Sequence, residues 1–324
     1  MKRPDLYVSM SPFAHSGNTV QKMMVNYLLA LVPVVFAAWF YFGAAALFIL
    51  VICAVTALVT EAVWQKLAGH AVRLEDGSAL VTGIILGLLL STYVPWWLAA
   101  AGSFAAIIVG RHLLGGFGNS PFNPVLVGWA FVQISYAPRM GDFPIPHPQF
   151  GMDMGKYLAD PALITAAEDL EMALWVPLRD LFMGNVPAEI GTGCALAILL
   201  GGIFLVWRGT ISWHIPVSFI VSAWVFAWIF QQVDPGAYAP ATFHILSGWL
   251  MFGAFFLAPE KGTAPLSGPG MILYGIGCGV LTMIIRSWGA YAEGVPFAIL
   301  LMNALAPLLD RVRPRAVGRN VEIA

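Results

Sequence analysis

Arg111, Asn119, Asn123, His244 and Arg286 are the side chains best placed to hold a ligand, because each adjoins a stretch where a helix must break. Three of them lie in RHLLGGFGNSPFNP (111–124), rich in glycine and holding two prolines. Proline removes an amide donor and clashes with the preceding turn, while glycine tolerates backbone that other residues avoid. His244 precedes Ser247-Gly248 at a second such point. Guanidinium and amide donors at a broken helix suit the binding of an anion or of a polar cofactor edge. For Arg111 and Arg286 the alternative is snorkelling to a membrane boundary, and for His244 a satisfied structural role. Glu61, beside Trp64, reads as a group facing the interface. No catalytic constellation and no metal site emerges. Cys53, Cys194 and Cys278 stand singly, without a CxxC or Cys/His cluster, and read as small buried residues. Walker, Rossmann and nucleophile-elbow motifs are absent, and no intramembrane chain of carboxylates suggests a proton relay.

The breaks come in a matched pair. Arg111 stands ten residues before Pro121-Phe122, and Arg286 stands ten before Pro296-Phe297. An asparagine follows each, Asn123 and Asn303. Upstream lie Thr82-Gly83 with Gly87 and Ser247-Gly248 with Gly253. Glycine and proline at either place alone would equally suit close helix packing. Together they point to two related halves.

The elements that must position these residues are membrane spans. The chain is 59% hydrophobic and 10% charged, with mean hydropathy +0.80, whereas soluble domains carry roughly 25% charged residues. Too few charges remain to cover a soluble surface. Apolar runs near 24–42, 44–64, 78–92, 95–110 and 113–135 are followed by others near 193–208, 211–232, 241–258, 269–287 and 290–309. The sequence therefore predicts an all-α polytopic membrane protein of about ten transmembrane helices. With the N-terminus inside, twelve of the sixteen Lys and Arg fall on inner segments, as the positive-inside rule requires. Both termini are expected to be cytoplasmic, and residues 1–22 show no signal peptide. Five spans per half make the repeats inverted, with broken helices near the midplane, as in transporters. The expected divisions are a first repeat at 1–135, an acidic outer, periplasmic loop at 136–190, a second repeat at 191–310 and a basic tail at 311–324.

SGNTVQKMMVNYLLALVP, LEDGSALVTGIILGLLLS, GGFGNSPFNPVLVGWAF, HILSGWLMFGAFF and RSWGAYAEGVPFAILLMNALAPLLDR closely resemble the D subunit of the Rnf electron-transport complex. The B subunit of the Na⁺-translocating NADH:quinone oxidoreductase is similar at greater distance. The similarity runs through nearly the whole chain in order; the outer loop matches poorly.

The resemblance implies a urea-transporter-like fold and a flavoprotein subunit of an ion-motive translocase in the bacterial cytoplasmic (inner) membrane. Electron transfer between NADH and ferredoxin, or quinone, would drive Na⁺ or H⁺ transport. The chain would not be catalytic alone. Its partners would be the other membrane and peripheral Rnf subunits and the lipid bilayer, with no nucleic acid. The family esterifies FMN to a threonine within a pattern like D-x-x-[ST]-x-A-T-P-L. Here the stretch reads DPALITAAEDL (160–170), which departs from it. Aligned on the I-T-A-A core, the acceptor position holds Glu168, which cannot form that ester. Aligned on Asp160 with one deletion, Thr165 is the acceptor, ahead of Thr192. Loss of the covalent link is the alternative. Noncovalent FMN, or riboflavin, would need apolar walls and donors at its polar edge; Arg111, Asn119, Asn123, His244 and Thr263 are the candidates. A channel or transporter for small solutes, without redox chemistry, is the rival function for the same fold.

Overall fold

A computed structural model describes residues 19–69, 74–113, 115–116, 118–140, 144, 146, 177–289, 291 and 293–312. Among them all regular structure is helical. Helix α1 (Val20–Leu67) opens on Thr19, whose side chain accepts from Lys22 N at 3.2 Å. It comprises two arms that meet at Gly43, where φ is 66° and ψ −149°. A left-handed φ is free only to glycine. The arms must run back on each other, because Met23 of the first shares a cavity with Arg111 and Glu61 of the second is bonded to it. The first arm buries Tyr27, Ala30, Leu31 and Val34 while Val25, Leu29, Val32 and Phe36 face outward. Apolar on both faces, it is built for lipid on one and protein on the other.

Next come α2 (Ser78–Leu88) and α3 (Trp96–Ala105), the latter widening into a π-helix, π1 (Ala106–Leu113). The apolar run at 113–135 becomes helical only at α4 (Pro124–Ser135). The glycines at 115, 116 and 118 take positive φ, and Pro124 fits the first helical turn, where its missing N–H costs nothing. A short α5 (Ala137–Met140) follows. Thr165 and Glu168 lie outside the described residues, as do most of 136–190 and the tail 313–324.

The second part holds α6 (Leu178–Met183), α7 (Ala195–Trp207), α8 (His214–Val233), α9 (Ala241–Leu246), α10 (Leu250–Phe252) with its π-helical continuation π2 (Gly253–Leu257), α11 (Gly268–Trp288) and α12 (Val295–Leu309). Helices α8 and α11 run side by side in one direction: Gly275 meets Ser218, Gly279 meets Ser222, and Phe230 meets Trp288. A Cβ at Gly279 would lie 2.6 Å from the Phe219 carbonyl, so this seam depends on the absence of a side chain. Among the described residues three helices, α1, α8 and α11, are long and apolar enough to cross a membrane, and α2, α4, α7 and α12 are shorter apolar helices.

Two breaks frame the interior. Helix α2 stops at Leu88, and the freed carbonyls of Leu88 and Leu90 accept from Gly191 N (2.7 Å) and Ile190 N (3.1 Å). Between α9 and α10, Ser247 is extended and Gly248 takes φ 65°; past π2, the Leu257 carbonyl accepts from Asn123 Nδ2 at 3.1 Å. The first break is thus closed from the other half of the chain and the second by Arg286 of α11, which donates to the His244 and Ser247 carbonyls; both satisfy backbone groups that lipid could not.

Candidate functional site

Arg111 projects from π1 into the protein with 3% of its surface exposed. Neither snorkelling nor an interfacial Glu61 describes this pair. Arg111 Nη1 donates to Glu61 Oε2 at 3.2 Å, His112 Nε2 lies 3.0 Å from the same oxygen, and Gln65 Nε2 donates to Oε1 at 2.7 Å. Trp64 stacks on His112 with centroids 5.1 Å apart. A carboxylate at the end of α1 and a guanidinium on π1 neutralise each other, so both can leave water.

Beside this pair lies a cavity of about 200 Å³. Met23, Met24, Val81, Ile85 and Phe256 give apolar walls, while Tyr27, Arg111, Asn123, Glu260 and Thr263 give polar groups. Exposed Lys261, Gly262 and Gly118 stand at its rim. Tyr27 OH, Thr263 Oγ1 and Glu260 Oε2 are buried against it without a hydrogen-bond partner in the protein. Such orphans are costly unless a ligand or water answers them. Glu260 sits in the turn after π2; burial pushes its carboxyl up to about 7, with the Arg111 guanidinium pulling it back down. Near neutral pH its acid form is available to donate.

Arg111, Asn123 and Thr263 therefore come together here. Asn123 has a structural task as well: its Oδ1 caps α4, accepting from Val125 N (2.9 Å) and Leu126 N (3.3 Å), while its amide holds Leu257. Asn119 lies in the loop above, against Gly115, and does not line the cavity. His244 lies elsewhere. Its carbonyl accepts from Arg286 Nη1 at 2.8 Å, and Arg286 Nη2 donates to Ser247 O and Glu293 Oε2, each at 3.2 Å. Arg286 is also 3% exposed and so does not snorkel. About 18 residues of α11 separate it from Gly268, roughly 27 Å of helix, which puts it at the end remote from the cavity. Sequence reasoning missed Tyr27, hidden in an apolar run, and Glu260, whose burial nothing local announces.

The family model described as the NQR2, RnfD, RnfE family matches residues 7–318. Among curated proteins, the chain is 37% identical to the D subunit of the Na(+)-translocating ferredoxin:NAD(+) oxidoreductase complex of Acetobacterium woodii, over 96% of this chain and 94% of that protein. It is 36% identical to the D subunit of the ion-translocating oxidoreductase complex of Stutzerimonas stutzeri, over 94% and 93%. The D subunit of the complex of the same name from Pectobacterium carotovorum is 34% identical, over 96% and 98%.

Proposed function

The chain belongs to the NQR2, RnfD, RnfE family, and from that membership we propose that it is the D subunit of an Rnf-type ion-translocating oxidoreductase complex, carrying a flavin in the cavity beside Arg111. What carries the reading is similarity along nearly the whole length to proteins named as that subunit. It is a multi-pass membrane protein that works with the other subunits of the complex. The finer topology we propose is ten spans in two inverted repeats, in the inner membrane, with both termini cytoplasmic. The bonds between the halves, from Gly191 and Ile190 to the end of α2 and from Asn123 to Leu257, and the clustering of Lys22, Lys66, Arg208 and Lys261 at the cavity end support it.

The cavity fits part of a flavin. Its volume falls below the ~300–1,000 Å³ of drug-sized pockets, so the ring would be enclosed and the side chain would run toward Lys261. Methionines and aliphatic side chains supply the flat apolar walls. Tyr27 OH and Thr263 Oγ1 offer donors to a ring edge, and Arg111, paired with Glu61, lies at the back. When bound, the flavin supplies electron-transfer chemistry; the protein excludes water, orients the ring and sets its potential through these contacts. The covalent FMN proposed for Thr165 is a separate group.

The test is flavin analysis of the purified complex. Tyr27→Phe combined with Thr263→Val leaves packing nearly unchanged but removes both orphaned hydroxyls. It is expected to lower the noncovalently released flavin at least several-fold. Unchanged flavin in an assembled variant complex overturns the cavity assignment. In-gel fluorescence of the denatured subunit, with peptide mapping, decides the covalent link: an adduct on Thr165 supports it and a dark band removes it. A complex with no flavin in this subunit that passes a small polar solute would favour the channel reading.

A further inference from the structure

Most polar side chains around the cavity are already engaged within the protein. Ser78 Oγ donates to Asp76 at 2.8 Å, Thr82 Oγ1 to the Ser78 carbonyl at 3.0 Å, and Ser120 Oγ to the Gly116 carbonyl at 3.1 Å. Asn123 uses both its oxygen and its nitrogen, and Arg111 is held by Glu61. Tyr27 OH, Thr263 Oγ1 and Glu260 Oε2 are the contrast: each is buried on a residue that lines the cavity, and each lacks a partner in the protein. Tyr27 and Thr263 are only 8% and 6% exposed. Glu260 and Thr263 belong to one turn, where the Glu260 carbonyl accepts from Thr263 N at 3.2 Å and from Ala264 N at 2.9 Å. A bond from residue i+3 to residue i stacks the two side chains on one side, so the carboxyl and the threonine hydroxyl are presented together. Tyr27 reaches the same cavity from the first arm of α1.

This set asks for a particular ligand edge. A hydroxyl can donate, whereas a carboxyl keeps an accepting oxygen in either protonation state. A ligand that answers all three atoms must therefore bring a donor as well as acceptors. In an oxidised isoalloxazine the benzenoid end has no polar atom, and the other ring nitrogens and oxygens of the polar edge only accept. The imide is the exception, with N3–H standing between two carbonyls. One donor and two acceptors then meet one acceptor and two donors. We propose that the cavity reads the imide of the ring, Glu260 accepting from N3–H while the Tyr27 and Thr263 hydroxyls donate to the two carbonyls. The inference rests on the flavin reading above and adds which end of the ring enters and which residue selects it. Water would answer the same three atoms without choosing among ligands, so selectivity is what separates the two.

In the experiment the purified complex is exchanged against an equal mixture of riboflavin and N3-methylriboflavin and freed of unbound ligand, and its noncovalent flavins are then released and separated. The methyl group removes the donor and leaves Glu260 Oε2 buried without an answer, so riboflavin should be favoured about tenfold or more. Equal uptake of the two overturns the inference. Glu260→Met keeps the length of the side chain without its acceptor and should bring the ratio near one, while Glu260→Gln keeps an oxygen and should retain most of the preference. A preference undiminished in Glu260→Met means that the methyl is refused by size alone, which also overturns it. Should Glu260→Met fail to assemble, the deuterium-sensitive N3–H band in the resonance Raman spectrum of bound riboflavin takes its place. That band should move in Glu260→Gln, a weaker acceptor, and an unmoved band overturns the inference. The two readings fail differently. If the Tyr27→Phe, Thr263→Val complex takes up as much riboflavin as the parent, the cavity assignment falls and this inference with it. If uptake is lost there but the parent does not discriminate against the N3-methyl compound, the inference alone falls.

Discussion

Arg111 and Glu61 show how far one contact can govern a site. Their side chains are 4% and 8% exposed, so neither charge is screened by water, and removing one partner leaves the other buried alone. Such a loss costs about 3–5 kcal/mol, whereas removing both often costs little. Arg111→Ala is therefore expected to lower the thermal midpoint of the purified complex sharply, and adding Glu61→Gln should recover much of the loss. Strict additivity in that cycle would show that the pair is not coupled. Arg111 was legible as a special residue because it stands at the edge of a break. Its partner was not, because the two are 50 positions apart and a lone glutamate beside a tryptophan looks like an interfacial one. Glu260 was hidden for a related reason: a charge just past an apolar run reads as solvated, and only the fold shows it turned inward.

The elements were easier to read than the joints between them. The runs at 211–232 and 269–287 became α8 and α11 with nearly those bounds, since length and unbroken hydropathy are what a spanning helix needs. The run at 113–135 gave a helix over only its second half, because apolar residues alone do not overcome positive-φ glycines ahead of Pro124. Asn123 fixes where that helix begins and also ties it to π2. Asn123→Ser keeps a capping oxygen but cannot reach the Leu257 carbonyl, so an open buried acceptor should cost about 1–3 kcal/mol. Asn123→Ala gives up the cap as well, a further loss of about 0.5–2 kcal/mol. Thermal unfolding of the two variants in the assembled complex checks the order; an Asn123→Ser protein as stable as the parent would show that the tie to Leu257 carries no weight.

Over the whole molecule, the two ends differ in chemistry and are joined by α11. One end carries Lys22, Lys66, Arg208 and Lys261 together with the cavity; the other pairs Arg286 with Glu293. The directions of the helices follow from contacts within the fold. Tyr41, at the far end of the first arm of α1, donates to the Met183 carbonyl, whereas Asn26, near its start, donates to Thr210 at the cavity end. These contacts fix which residues share an end, and the distribution of basic residues is the ground for the proposed orientation, with the cavity end toward the cytoplasm. Exposed positions make this testable. A cysteine at Lys66 or Lys261 should react with a membrane-impermeant maleimide only in inverted vesicles, and one at Asp234 only in intact cells stripped of the outer barrier. The native background is low, because Cys53 and Cys278 are fully buried and Cys194 is partly so. If Lys66→Cys and Asp234→Cys label from the same side, the helix directions are wrong. If they label from opposite sides but reversed, the fold stands and the orientation inverts, which would put the cavity beside Arg111 on the outer face and the Arg286–Glu293 pair on the inner one.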